Sequence, residues 1–101
     1  MNIAKPRKSR APGALNGVQM GSMHYHVVDS AWRYDTEQGR IGLPYTMFVR
    51  NRKRWVEDTA WFVVSDPIHC AVIRVVFAYA LKLGFIKEIP AFLENFNLHL
   101  K

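Results

Sequence analysis

Residues Asp66 to Gly84 constrain this chain more than any other stretch, because they describe a helix with defined ends and almost no polar side. Ser65 or Asp66 is placed to accept the first free N–H groups. Pro67 suits the first helical position, where no intrahelical N–H is needed, and Gly84 tolerates the left-handed backbone that ends helices. At helical spacing Ile68, Val72, Val75, Val76, Tyr79 and Leu83 form one apolar stripe, and Cys70, Ile73, Phe77 and Leu81 form a second beside it. Only Ala71, Arg74, Ala78 and Lys82 remain as a narrow stripe for water. A helix so apolar around its circumference needs cover on two sides. The spacing therefore predicts a buried central helix on a sheet, with either the C-terminal segment or a second copy of the chain, in a homodimer, over the remainder.

A membrane span is disfavoured, since it needs roughly 20 apolar residues and His69, Arg74 and Lys82 interrupt this run. Nor do the basic residues near the start precede an apolar stretch of the kind a signal peptide carries. With 101 residues, 50% of them hydrophobic and 13% aromatic, the chain is expected to form one domain with a modest core. One cysteine excludes an internal disulfide and points to a reducing, cytoplasmic setting. Within the apolar helix, Cys70 reads as a small buried hydrophobe rather than a nucleophile.

The net charge of +6 is unevenly spread. Residues 1–21 hold Lys5, Arg7, Lys8 and Arg10 without an acid, and Arg50, Arg52, Lys53 and Arg54 form a second cluster, so the rest of the chain is slightly acidic. Two basic patches on a near-neutral body are the footprint of a protein that meets a polyanion. Residues 1–21 also contain Pro6, Pro12, Gly13, Gly17 and Gly21 and lack sustained periodicity, which predicts a flexible basic tail preceding a domain over 22–101.

From Met23 to Val28 apolar and imidazole side chains alternate, predicting a strand with His24 and His26 on one face. Two imidazoles are too few for a zinc site, and His69, Cys70 and the carboxylates Asp29, Asp35 and Glu37 stand at no telling spacing. Surface imidazoles beside a basic patch, and solvated carboxylates in a turn at 35–39, are the simpler account. Pro44 to Arg50 reads as a second strand, with Tyr45, Met47 and Val49 on one face and Thr46 and Phe48 on the other. Trp55 to Val64 reads as a third. Residues 50–54 then form the tip of a hairpin, provided that 54–62 is strand and not helix. Buried unpaired, its cations would be prohibitively costly. Phe48 and Trp55 flank them, either as core and edge guard or as rings on which bases stack.

Ile89-Pro90 opens a short second helix to about Asn97 that carries Phe92, Leu93 and Phe96. It lacks the exposed basic groups of a DNA-recognition helix, so a helix-turn-helix is rejected. The expected fold is thus α+β: a small three-stranded antiparallel sheet on one long apolar helix, a short C-terminal helix and a flexible N-terminal tail. No acid, base or nucleophile converges by spacing, so neither an enzyme nor a cofactor nor a metal is expected. Two functional readings follow. One is a sequence-nonspecific nucleic-acid-binding module whose phosphate contacts are Lys5, Arg7, Lys8, Arg10, Arg50, Arg52, Lys53 and Arg54, with Trp55 beside them. The other is a small adaptor or inhibitor of phage or mobile-element type, whose patches meet an acidic surface of a nucleic-acid-processing complex.

Overall fold

A computed structural model describes residues 5–12, 16–28 and 31–96. The helix has the ends its sequence dictates. α1 runs Pro67–Lys82, and Asp66 Oδ1 accepts the N–H groups of Ile68 and His69 at 2.9 and 3.2 Å. At the other end the Gly84 N–H donates to the Leu81 carbonyl and the Phe85 N–H to the Ala80 carbonyl, with Gly84 at φ +80°, the paired bonds of a Schellman ending.

The sheet is larger than the sequence pattern predicts. Among the described residues six antiparallel strands are present: β1 (Arg7–Lys8), β2 (Gly17–Met20), β3 (Met23–His26), β4 (Arg33–Asp35), β5 (Arg40–Val49) and β6 (Arg54–Val63). The expectation of three strands is therefore corrected. So is that of a flexible tail where Arg7–Lys8 and Gly17–Met20 are concerned, since both are hydrogen-bonded into the sheet. These strands are two and four residues long, too short to show a periodicity, and pairing of β2 with β3 and of β1 with β2 supplies the order they lack locally. The C-terminal helix is corrected to a 3₁₀ helix, Ala91–Phe96; Asn97 lies outside the described residues.

β5 is the spine. β6 pairs with it from Val49↔Arg54 to Arg40↔Val63, while on its other edge β3 pairs at His24↔Thr46 and β4 at Arg33↔Gly42. Between those last two pairs β5 advances four residues and its partner nine, so five residues are looped out of the neighbouring strand. Pro44 lies opposite His26, the last residue of β3, where that strand's pairing with β5 ends. The Val64 N–H donates to the Gly39 carbonyl, so by alternation odd-numbered residues of β5 turn their backbone groups to β6 and even-numbered ones turn to β3 and β4. The missing N–H of proline thus falls at the end of the β3 ladder, before pairing resumes with β4. This is why β5 begins at Arg40 and runs through Pro44, rather than starting there.

All helical structure lies on one face of the sheet. Ile73, Val76, Phe77 and Ala80 are buried there with Val18, Tyr25, Ile41, Leu43 and Phe62, and the Trp32 ring meets Phe77 edge-on at 5.0 Å between centroids. Leu93 is fully buried, and Phe85, Ile86, Ile89 and Phe92 pack around the same core, so the wide sheet and the C-terminal segment both cover the helix. Ile68 and Leu81, near the helix ends, stay exposed.

Side chains cap part of the free edge of β6. Its outward N–H groups belong to odd-numbered residues; Asp58 Oδ1 accepts that of Thr59 at 2.8 Å and His69 Nδ1 that of Val63 at 2.9 Å. At the opposite edge β1 is short, basic and preceded by Pro6. Both edges are thus poor templates for strand addition.

On the helix-free face the Trp61 ring lies over Gly42, and the Arg40 guanidinium stacks on that ring 4.1 Å from its centroid. A Cβ at Gly42 would stand 2.9 Å from Thr59 Cγ2 and 3.1 Å from the Trp61 ring. Gly42→Ala is expected to cost about 1–3 kcal/mol of stability, the usual range for overpacking, measured by urea denaturation. An unchanged midpoint would mean that the indole is not seated on the strand.

Candidate nucleic-acid interface

The helix-free face follows from strand alternation. Because Ile41 and Leu43 point at α1, Gly42, Thr46 and Phe48 point away, and register carries their neighbours with them. One row crosses five strands as Arg7, Gln19, His24, Thr46 and Glu57. Next to it, towards the hairpin tip, stands the pair Phe48 and Trp55.

These side chains interlock. Phe48 and Trp55 meet edge-to-face with centroids 5.5 Å apart, and Trp55 reaches across β5 to the His24 ring at 5.2 Å. Thr46 lies between Trp55 and His24 and is only 1% exposed. The outer surfaces of the aromatic pair stay open, with Phe48 43% and Trp55 39% exposed. Of the three tryptophans Trp32 is core, Trp61 is half-buried on the strand face, and Trp55 is the most accessible.

His24 is not the surface imidazole that alternation alone predicts. It is buried, and its Nδ1 lies 2.6 Å from the hydroxyl of buried Ser9. That hydroxyl accepts the Ala11 N–H at 3.1 Å and, with the imidazole neutral, gives its proton to Nδ1, which leaves the ring proton on Nε2. The contact pins the chain after β1 to the sheet. Burial lowers the His24 pKa, as do the charges of Arg7 and His26; burial lowers that of His26 against the opposing pull of Glu57.

Lys5, from the N-terminal basic cluster, comes to the end of the sheet that carries the hairpin-tip cluster, while Arg7, Lys8 and Arg10 run along the β1 edge. Residues 50–53 connect β5 to β6, with the Arg52 N–H bonded to the Val49 carbonyl and the Lys53 N–H to that of Arg50. Lys5 precedes β1 at the level of the β2–β3 turn and lines a recess of about 470 Å³ with Pro6, Arg7, Gly21 and Tyr79. The Ser22 hydroxyl in that turn contacts Met47 Sδ at 3.7 Å, joining it to β5 just before the tip. α1 finishes at the same end and adds Lys82, which sequence reasoning assigned only to a solvent stripe. Arg7, Lys8 and Arg10 line a separate recess of about 410 Å³ with Gln19 at the β1 edge.

Every expected site residue, Lys5, Arg7, Lys8, Arg10, Arg50, Arg52, Lys53, Arg54 and Trp55, is exposed. Among the described residues the ion pairs are Arg40 with Asp35 at 3.0 Å and His69 with Asp66 at 3.8 Å, so none engages these cations. Arg54 belongs to β6 rather than to the turn. Asp35 is committed to Arg40 and the turn, and Asp29 lies outside the described residues. No cluster of three or more potential metal ligands occurs among the described residues, nor is any described helix long and apolar enough to cross a membrane. Gln19 and Phe48 join the surface; Phe48 was legible from alternation, whereas Gln19 depends on β2. Comparison with protein-family models, curated proteins and solved structures returned no match for this chain.

Two predictions follow from this geometry. A histidine held below its unfolded pKa of about 6.5 contributes stability above that pH, and the contribution is lost as pH falls towards the folded value, because the unfolded chain takes up the proton first. The melting temperature should therefore fall between pH 7 and pH 5, with a shallower fall in His24→Asn; a flat profile in the native chain would refute this. Lys53 adopts φ +51°, where the matching turn of the β4–β5 hairpin uses Gly39 at +62°. Lys53→Gly should raise stability by about 0.5–1 kcal/mol, the left-handed cost relieved less the added freedom of the unfolded chain, read as a higher denaturation midpoint.

Proposed function

We propose that this protein is a non-enzymatic nucleic-acid-binding module whose affinity comes from phosphate contacts at one end and one edge of its sheet. The observation that carries this reading is the convergence of the hairpin-tip cations Arg50, Arg52, Lys53 and Arg54 with exposed Trp55 and Phe48, and with Lys5 at the same end of the sheet. Cations without acidic partners are available to phosphate oxygens, which neutralise them without selecting a base sequence. Arg7, Lys8 and Arg10 extend the basic surface along the β1 edge. Across four strand spacings that edge lies roughly 19 Å from β6, at about 4.8 Å per strand.

The test is binding to labelled DNA and RNA oligonucleotides by fluorescence anisotropy across a salt series. Because residues 7–8 and 17–20 are sheet strands, deletion of the N-terminal residues would unfold the sheet edge, and charge reversal is the informative change. The native chain should bind with an affinity that falls steeply with salt. Arg52→Glu with Lys53→Glu should weaken binding and reduce the log–log salt slope by about 2, one per phosphate contact. Lys5→Glu with Arg10→Glu should act in the same direction. Absence of binding at low salt would overturn the proposal and make these patches the contact surface of an adaptor or inhibitor for an acidic protein.

A further inference from the structure

We infer that the helix-free face accepts a single-stranded polynucleotide in preference to a duplex, with unstacked bases resting on Trp55 and Phe48 and the backbone held by the flanking cations. This rests on the nucleic-acid reading above and specifies its ligand. The two rings stand on the sheet face at its tip end, one cross-strand pair beyond the row of Arg7, Gln19, His24, Thr46 and Glu57. Their exposed surfaces are open at 43% and 39%. A base paired inside a duplex shows only its edge in a groove, so its face cannot be laid flat on a ring of the sheet surface. A base in a single strand can, and such stacking tolerates every base because each has a π-face.

The hairpin does not offer the alternative of entering a major groove as a free ribbon. With His24 opposite Thr46, Phe48 and Val49 stand level with Ser22 and Gly21 of the β2–β3 turn, so only residues 50–53 extend past the neighbouring strands. A groove about 8.5 Å deep would meet the β2–β3 turn before the side chains of β5 and β6 reached base edges.

Charge is arranged to suit a strand crossing the face. Arg50, Arg52, Lys53 and Arg54 lie beyond the aromatic pair at the tip, while Arg7 and Arg10, with the Gln19 amide, lie across β2 and β3 from it. With two of its outward donors already taken, β6 is a poorer site for the other way an extended polymer could use this sheet, as an added peptide strand on that edge. The occupant fitted by exposed rings between cations is therefore a polyanion that carries planar groups.

The test compares 15-nucleotide oligo(dT) and oligo(rU) with a 15-base-pair DNA duplex at one ionic strength. Both single strands should bind at least tenfold more tightly than the duplex and should quench tryptophan emission. Trp55→Ala should weaken single-strand binding at least fivefold, the lower end of the effect of removing one stacking ring, and leave duplex binding unchanged. Trp55→Phe should retain most of the affinity but lose most of the quenching, since Trp32 is buried and Trp61 half-covered. That variant separates ring stacking from folding, and the melting temperature of each variant confirms that it is folded. Equal or tighter duplex binding, or single-strand binding indifferent to Trp55→Ala, would overturn this inference while leaving the phosphate-binding reading intact. Binding to neither form would overturn both.

Discussion

β5 hydrogen-bonds on both edges, to β6 along its whole length and to β3 and β4 on the other side, and the remaining architecture is arranged around that double pairing. Its alternation sends Ile41 and Leu43, both fully buried, into the core under α1 and leaves Gly42, Thr46 and Phe48 on the opposite face. A slip of one residue would exchange these sets, placing Gly42 and Pro44 against the helix and Leu43 in water. Two partners therefore enforce the register that hydrophobic burial requires. Pro44 adds a further constraint, because it fits a central strand only where its missing N–H costs no ladder bond, and the end of the β3 ladder, before pairing resumes with β4, provides that place.

The same register builds the exposed face. Trp61 covers Gly42 and carries Arg40, while Trp55 covers Thr46 and touches His24, so each large ring is supported by a small or buried residue beneath it. Neither half of this surface is soft. The aromatic pair at the tip end is held by two ring contacts, and the chain entering the sheet at β1 is held by the Ser9–His24 hydrogen bond. A binding surface whose side chains are already fixed loses little entropy on contact, which favours affinity without added contacts.

Much of this was legible in the residues. Asp66, Pro67 and Gly84 mark the helix ends because capping and termination are local backbone chemistry, and the β5–β6 hairpin follows from alternation on either side of a run of cations too costly to bury. Other features were not. β1, β2 and β4 contain two, four and three residues, and strands so short exist only because a neighbour pairs with them. His24 looked like a surface residue because nothing local announces Ser9, 15 residues away, as its partner.

The ends of the helix, its apolar character, the hairpin and the two basic clusters all follow from local conformation and from charge that must remain in water. That the glycine- and proline-containing N-terminal stretch supplies strands, that Trp32 is core while Trp55 is open, and that Lys5 comes to the same end of the sheet as the hairpin tip emerge only from the fold. Those outcomes depend on which strands pair and in what register, and pairing energy comes from groups distant in the chain that no local pattern records.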